Sequence, residues 1–214
     1  MIGVLLMSKK RWGGPYLERF NQIKSLLEQL QNTIATSIDE SIVFIKSCFH
    51  IDLSLKLKGL DFEEQIQCLI DFLNRPLQLC GMITNEGKPG GGPFWIEHNG
   101  ETTLQIVESS ELQSSQGILR DTLFFNPVNM VCGLKNFDEN TWELNHYKDS
   151  GRSIISEKIQ MVQPIKIFEL SGLWNGSMGY WNSIFFEILR ATFRSIKTIN
   201  NCLEHKKRVI LCFL

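Results

Sequence analysis

The residues with the most chemical potential lie between Gly90 and Asn129. Glu108 and Glu111 stand where an apolar run ends, a place from which a carboxylate accepts sugar hydroxyls or holds a metal. The same position also suits an acid at a helix start or in a solvated loop. Upstream, Gly90-Gly91-Gly92 follows Lys88 between two prolines. Such a loop lays backbone N–H groups against a phosphate, or simply makes a fixed turn into a strand. Its spacing is neither the P-loop pattern nor Gly-x-Gly-x-x-Gly. Asn126 and Asn129 flank Pro127, where carboxamides bind hydroxyls or shape a turn. Trp174, Tyr180 and Trp181, with Asn175 and Asn182, suit either a stacking wall for a base or sugar ring or a core crossing.

Other chemistries are poorly supplied. His50, His98, His146 and His205 share no metal spacing and read as surface residues. Six cysteines include no Cys-x-x-Cys pair, which is the pattern of reduced thiols in a cytosolic protein. Cys80 and Cys132 each neighbour a glycine, yet no basic group is placed to activate either thiol. No Ser/His/Asp set emerges. The net charge is -1, and basic residues cluster only at Lys9-Lys10-Arg11 and Lys206-Lys207-Arg208, so neither nucleic acid nor a membrane surface is an expected partner. The 43% hydrophobic and 21% charged content over 214 residues describes a globular chain with a real core.

The elements that must position these residues follow from periodicity. Apolar positions from Leu17 to Ile34 recur at helical spacing, with Pro15 suited to the first turn. A second helix is expected over Ile38 to Phe49. A third runs from Leu60 to Leu73, opened by Asp61 with Glu64 three residues on and closed by Asn74-Arg75-Pro76. The continuous apolar run Leu77 to Ile83 reads as a strand buried on both faces. Asn99-Gly100 predicts a hairpin between Phe94–Glu97 and Thr102–Val107. Ser110 to Arg120 fits a short helix or a loop. Short strands are expected at Leu123 to Phe125 and Val128 to Val131, then over Val162 to Leu170 and Trp181 to Leu189. Phe137 to Tyr147 reads as a strand ending near Asp149, and Phe193 to Leu203 as a last helix. This divides the chain into a helical segment over 1–76, an α/β sheet region over 77–203, and an atypical apolar tail over 204–214.

Two segments resemble the UDP-N-acetylhexosamine pyrophosphorylases. Val107-Glu108-Ser109-Ser110-Glu111 is similar to their Val-Glu-Tyr-Ser-Glu segment, and Phe125-Asn126-Pro127-Val128-Asn129-Met130 to their Phe-Asn-x-x-Asn-Ile segment. Ser109 replaces the tyrosine, and the histidine expected soon after the second asparagine is absent. The resemblance implies that Glu108 and Asn129 touch a sugar. A longer resemblance rests on Asn74-Arg75-Pro76, Cys80-Gly81-Met82, Pro89 to Trp95, Gln105 to Ser110, Phe125 to Val128, Val131-Cys132-Gly133 and Gly172 to Met178. These are similar to the C-terminal half of an uncharacterised bacterial family, domain of unknown function 4301. Its longer members resemble nucleotide-sugar pyrophosphorylases with a glycine-rich nucleotide loop in the N-terminal half.

The resemblance implies an α/β fold: a mixed sheet with helices, the sugar-side part of a nucleotide-diphospho-sugar transferase-like fold. The implied ligand is a sugar phosphate or nucleotide sugar, with magnesium as the candidate cofactor. Glu108, Asn126 and Asn129 would bind it, Gly91 and Gly92 would approach it closely, and Lys197 would contact a phosphate. No segment here matches the nucleotide loop, so the expectation is a truncated chain, inactive in nucleotidyl transfer unless joined to a missing N-terminal half. The alternative is a non-catalytic binding or structural module.

Overall fold

A computed structural model of the chain describes residues 12–85, 91–98, 100–111, 122–170 and 179–190. It opens with four helices: α1 (Gly13–Gln31), α2 (Ser37–Phe49), α3 (Ser54–Leu57) and α4 (Phe62–Leu73). In α1 the apolar stripe buries Ile23, Leu26, Leu27 and Leu30. The capping box expected at the start of α4 forms in full. Asp61 accepts from the Glu64 N–H at 2.9 Å, and the Glu64 carboxylate accepts from the Asp61 N–H at 3.0 Å. Two of the orphan donors at that helix end are thereby satisfied.

Among the described residues seven strands follow: β1 (Leu77–Thr84), β2 (Gly92–His98), β3 (Glu101–Val107), β4 (Phe124–Cys132), β5 (Ser153–Gln160), β6 (Gln163–Leu170) and β7 (Asn182–Glu187). The central sheet has the order β4-β1-β7, antiparallel on one side of β1 and parallel on the other. This is the mixed α/β architecture expected. As the middle strand, β1 is buried along its length save for its last residue. Burying a side chain such as Leu77 or Leu79 stabilises by about 1.5–3 kcal/mol.

Alternation along β1 divides the core. Leu79 and Ile83 pack with Trp12, Phe186 and Ile188 on one face. Cys80 and Met82 pack with Phe185, Leu104 and Ile106 on the other. Gly81 is required by a close approach: a Cβ there would lie 2.6 Å from the Trp12 ring. The helices share a third cluster with Leu77, Phe137 and Trp142.

The expected β2–β3 hairpin forms, with Gly92 opposite Val107, and Gly100 takes φ +77° in its turn. Two anchors seat it. Glu101 is held by Arg75 at 3.0 Å and Lys56 at 2.8 Å. Gln105, fully buried, donates to the carbonyls of Trp181 (3.2 Å) and Gly179 (3.3 Å), and accepts from Ser183 Oγ at 3.3 Å.

Several expectations need correction. The two short strands around Pro127 are one strand, β4, whose register shifts between the partners of Gly81 and Ile83. The strand expected over Phe137 to Tyr147 does not form. An isolated bridge joins Lys135 and Thr141, and a 3-10 turn covers Leu144–Tyr147. Strand β5 carried no turn signal after it, because its two-residue turn is Met161-Val162, with φ of 47° and 69°. Asparagine and glycine usually supply that conformation, and a β-branched residue rarely does. The last helix expected, Phe193 to Leu203, lies outside the described residues, as does most of Ser110 to Arg120.

Candidate functional site

Strand β3 ends at Val107 and delivers Glu108 into a tight turn. The turn is closed twice. The Glu111 N–H donates to the Glu108 carbonyl at 3.0 Å, and the Glu111 carboxylate accepts from the Glu108 N–H at 2.9 Å. Glu111 then turns its carboxylate to Arg152 at the entry to β5. Arg152 Nε donates to Oε2 at 2.7 Å and Nη2 donates to Oε1 at 3.0 Å. Nη2 also donates to the Ile106 carbonyl at 2.9 Å. This planar, two-point pairing is the geometry in which arginine exceeds lysine. Arg152 is aimed by Asp149, whose Oδ1 accepts from the Gly151 N–H at 2.9 Å and whose carbonyl accepts from the Arg152 N–H at 3.3 Å.

The Glu108 carboxylate lies against Gly91. A Cβ at Gly91 would sit 2.9 Å from Glu108 Cδ and 2.8 Å from the Val107 carbonyl oxygen. At Gly92 a Cβ would meet the Phe124 carbonyl oxygen at 2.7 Å. The close approach that glycine permits at 91 and 92 is therefore made to the chain itself. The Gly91 carbonyl accepts from the Asn126 N–H at 2.7 Å, which ties this corner to the irregular stretch of β4.

Glu108 is half-buried, and its carboxylate accepts no hydrogen bond from the described residues. Burial pushes its pKa up, the neighbouring Glu111 carboxylate pushes the same way, and Arg152 opposes both. The corner thus offers a carboxylate with unspent acceptor capacity beside an ion pair that fixes its turn.

The residues singled out from sequence divide. Glu108, Gly91, Gly92 and the backbone of Asn126 come together. Asn129 stands opposite Gly81 in the sheet and so shares the Trp12 face with Leu79 and Val131. The hairpin that carries Glu108 packs Leu104 and Ile106 against the other face. Asn129 Nδ2 is buried without a hydrogen-bond partner. Lys197, Trp174 and Asn175 lie outside the described residues. Trp181 and Asn182 are core residues, and Asn182 Nδ2 donates to the carbonyls of Phe72 (2.9 Å) and Leu73 (3.3 Å), so neither contributes an open stacking face.

Burial pushes the Cys80 thiol well up, with Cys132 adding to it, and burial takes Cys132 to about 11. Both are poor nucleophiles near neutrality. Arg152 is the member that sequence reasoning missed. It is separated from Glu111 by 41 residues and carries no motif signal.

Among the described residues, no three histidine, cysteine, aspartate or glutamate side chains gather as a metal site. Glu111 is committed to Arg152, so the corner does not fit a protein-held magnesium ion. No described helix is long and apolar enough to cross a membrane.

A family model, domain of unknown function (DUF4301), matches residues 3–208. The chain belongs to that family. No curated protein matches it. Among solved structures, the DUF4301 chain is similar to the UDP-glucose pyrophosphorylase from Leishmania major, at 16% identity and a TM-score of 0.37. The similarity covers 68% of the DUF4301 chain and 33% of that enzyme's chain, so the chain spans about a third of the enzyme's length.

Proposed function

We propose that this chain is the sugar-side portion of a nucleotidyltransferase-like protein of the nucleotide-sugar pyrophosphorylase kind, and that it binds a sugar phosphate or nucleotide sugar. The observation that carries this reading is the Glu108 carboxylate, half-buried at the end of β3 with its acceptor capacity unspent. A carboxylate in that condition accepts two vicinal hydroxyls well, because hydrogen bonds to an ionised acceptor are about twice as strong as neutral ones. In this reading Asn126 supplies a carboxamide on β4 and Gly91 and Gly92 keep the rim narrow beside the ligand, while Asn129, on the Trp12 face of the sheet, is left out of the site. Lys197 meets a phosphate. Nucleotidyl transfer belongs to the chain only when it is joined to a nucleotide-binding half, which would bring the phosphate-holding groups such chemistry needs.

Calorimetry with UDP-sugars and sugar phosphates tests the reading. Binding heat in the wild type, lost in Glu108→Ala and retained in Asn129→Ala, whose side chain is on the far face, is the expected result. No heat with any of these ligands, or heat unchanged in Glu108→Ala, overturns it and leaves a non-catalytic structural module.

A further inference from the structure

The β5–β6 arm exposes an apolar face that the sugar-binding reading does not use. On one face Ile155 stands opposite Phe168, Glu157 opposite Lys166, and Ile159 opposite Pro164. The large apolar members of this row are open to solvent: Ile155 43%, Phe168 62% and Ile159 80% exposed. The reverse face carries Ile154, which is buried in the fold. Glu157 and Lys166 bridge loosely at 3.6 Å, and both are largely exposed. A concentrated apolar patch with a charge pair at its centre marks an interaction surface.

We propose that the arm stacks face to face on the same arm of a second copy of this chain. The register selects that partner. The acid lies on β5 and the base lies level with it on β6, between two apolar rungs. A two-fold axis along the arm, midway between the strands, lays β5 of one copy over β6 of the other. Every rung is then complementary: Ile155 over the facing Phe168, Glu157 over Lys166, Ile159 over Pro164. One arm carries both halves of an isologous contact. Packed sheets sit about 10 Å apart, a distance these side chains fill. An unrelated partner would have to reproduce an acid and a base at this spacing within an apolar frame, which the chain's own arm already presents.

Sedimentation velocity of the full chain across a concentration series tests this. A dimer that dissociates on dilution is expected. Glu157→Lys or Lys166→Glu sets like charges face to face at both central positions and should weaken association by roughly tenfold or more. Neither should change the thermal midpoint appreciably, since both side chains are exposed. The deciding experiment mixes the two variants. A Glu157→Lys chain facing a Lys166→Glu chain regains opposite charges at both positions, so the mixture should form a heterodimer although each variant alone stays monomeric. Ile159→Lys should abolish the dimer. A wild-type monomer at every concentration, a dimer indifferent to Ile159→Lys, or a mixture that stays monomeric each overturns the proposal.

Discussion

Glu111 grips Arg152 with both carboxylate oxygens, 2.7 and 3.0 Å from the guanidinium, while a third oxygen, the Ile106 carbonyl, lies 2.9 Å from the same Nη2. The pair is well shielded, with side chains 8% and 12% exposed. It joins the turn after β3 to the start of β5, and so fixes where Glu108 points.

Breaking that pair from one side should be costly. Arg152→Ala strands a buried carboxylate and should lower stability by about 3–5 kcal/mol. Glu111→Gln keeps the shape and one acceptor oxygen, and should cost less. Urea unfolding of both single variants and of the double variant gives the coupling energy. A double variant whose loss equals the sum of the two single losses would show that the pair is not coupled.

Glu101 and Glu108 should respond to pH in opposite directions. Burial pushes Glu101 up, but Lys56 and Arg75 outweigh it and hold its pKa below the usual carboxylate range. A depressed carboxyl contributes stability above its unfolded pKa, lost as pH falls through the folded value. Glu101→Gln should therefore be destabilising at pH 7, with the deficit closing as pH falls below the usual carboxylate range. Glu108 is raised by burial and by Glu111, so its ionised form opposes folding as pH rises from its unfolded toward its folded pKa and beyond. Glu108→Gln should be stabilising at pH 7, and the gain should vanish once both states are protonated. Thermal melts of each variant from pH 3 to 8 check both signs.

Gly91→Ala should be destabilising by about 1–3 kcal/mol through overpacking. The new methyl would press on the Glu108 carboxyl and the Val107 carbonyl. In a Glu108→Ala background only the second contact remains, so part of the loss should return. Denaturant midpoints of the four chains measure this, and an undiminished cost in the double background would rule out the carboxyl as the obstacle.

The buried thiols should resist alkylation. With Cys80 sealed in the core and Cys132 at about 11, iodoacetamide at pH 8 should modify the partly exposed Cys48 well ahead of either. Peptide mass mapping over time reads the order. Early modification of Cys80 would mean that the central sheet opens readily.

The elements legible in the sequence are those whose signals are local. Asp61 and Glu64 announce a helix start because a capping box is built within four residues. Leu77 to Ile83 announces a central strand because both its faces are buried. Asn99-Gly100 announces a hairpin through its backbone preference. Strand β5 stayed hidden because Met161 and Val162 occupy a turn conformation that their side chains disfavour. The strand expected at Phe137 to Tyr147 does not form, because Phe137 and Trp142 turn inward to join the helical core.

The same division runs through the candidate site. Residue type, order along the chain and family resemblance marked Glu108, Gly91, Gly92, Asn126, Asn129 and Lys197, but one dimension supplies only their identities. Tertiary structure decided which of them meet. It set Glu108 on the space left by a missing Cβ at Gly91, turned Asn129 to the Trp12 face, and brought in Arg152 from far along the chain. The physical reason is that a strand's two faces are separated by register, and a salt bridge by the path of the backbone, and both depend on how distant segments pair.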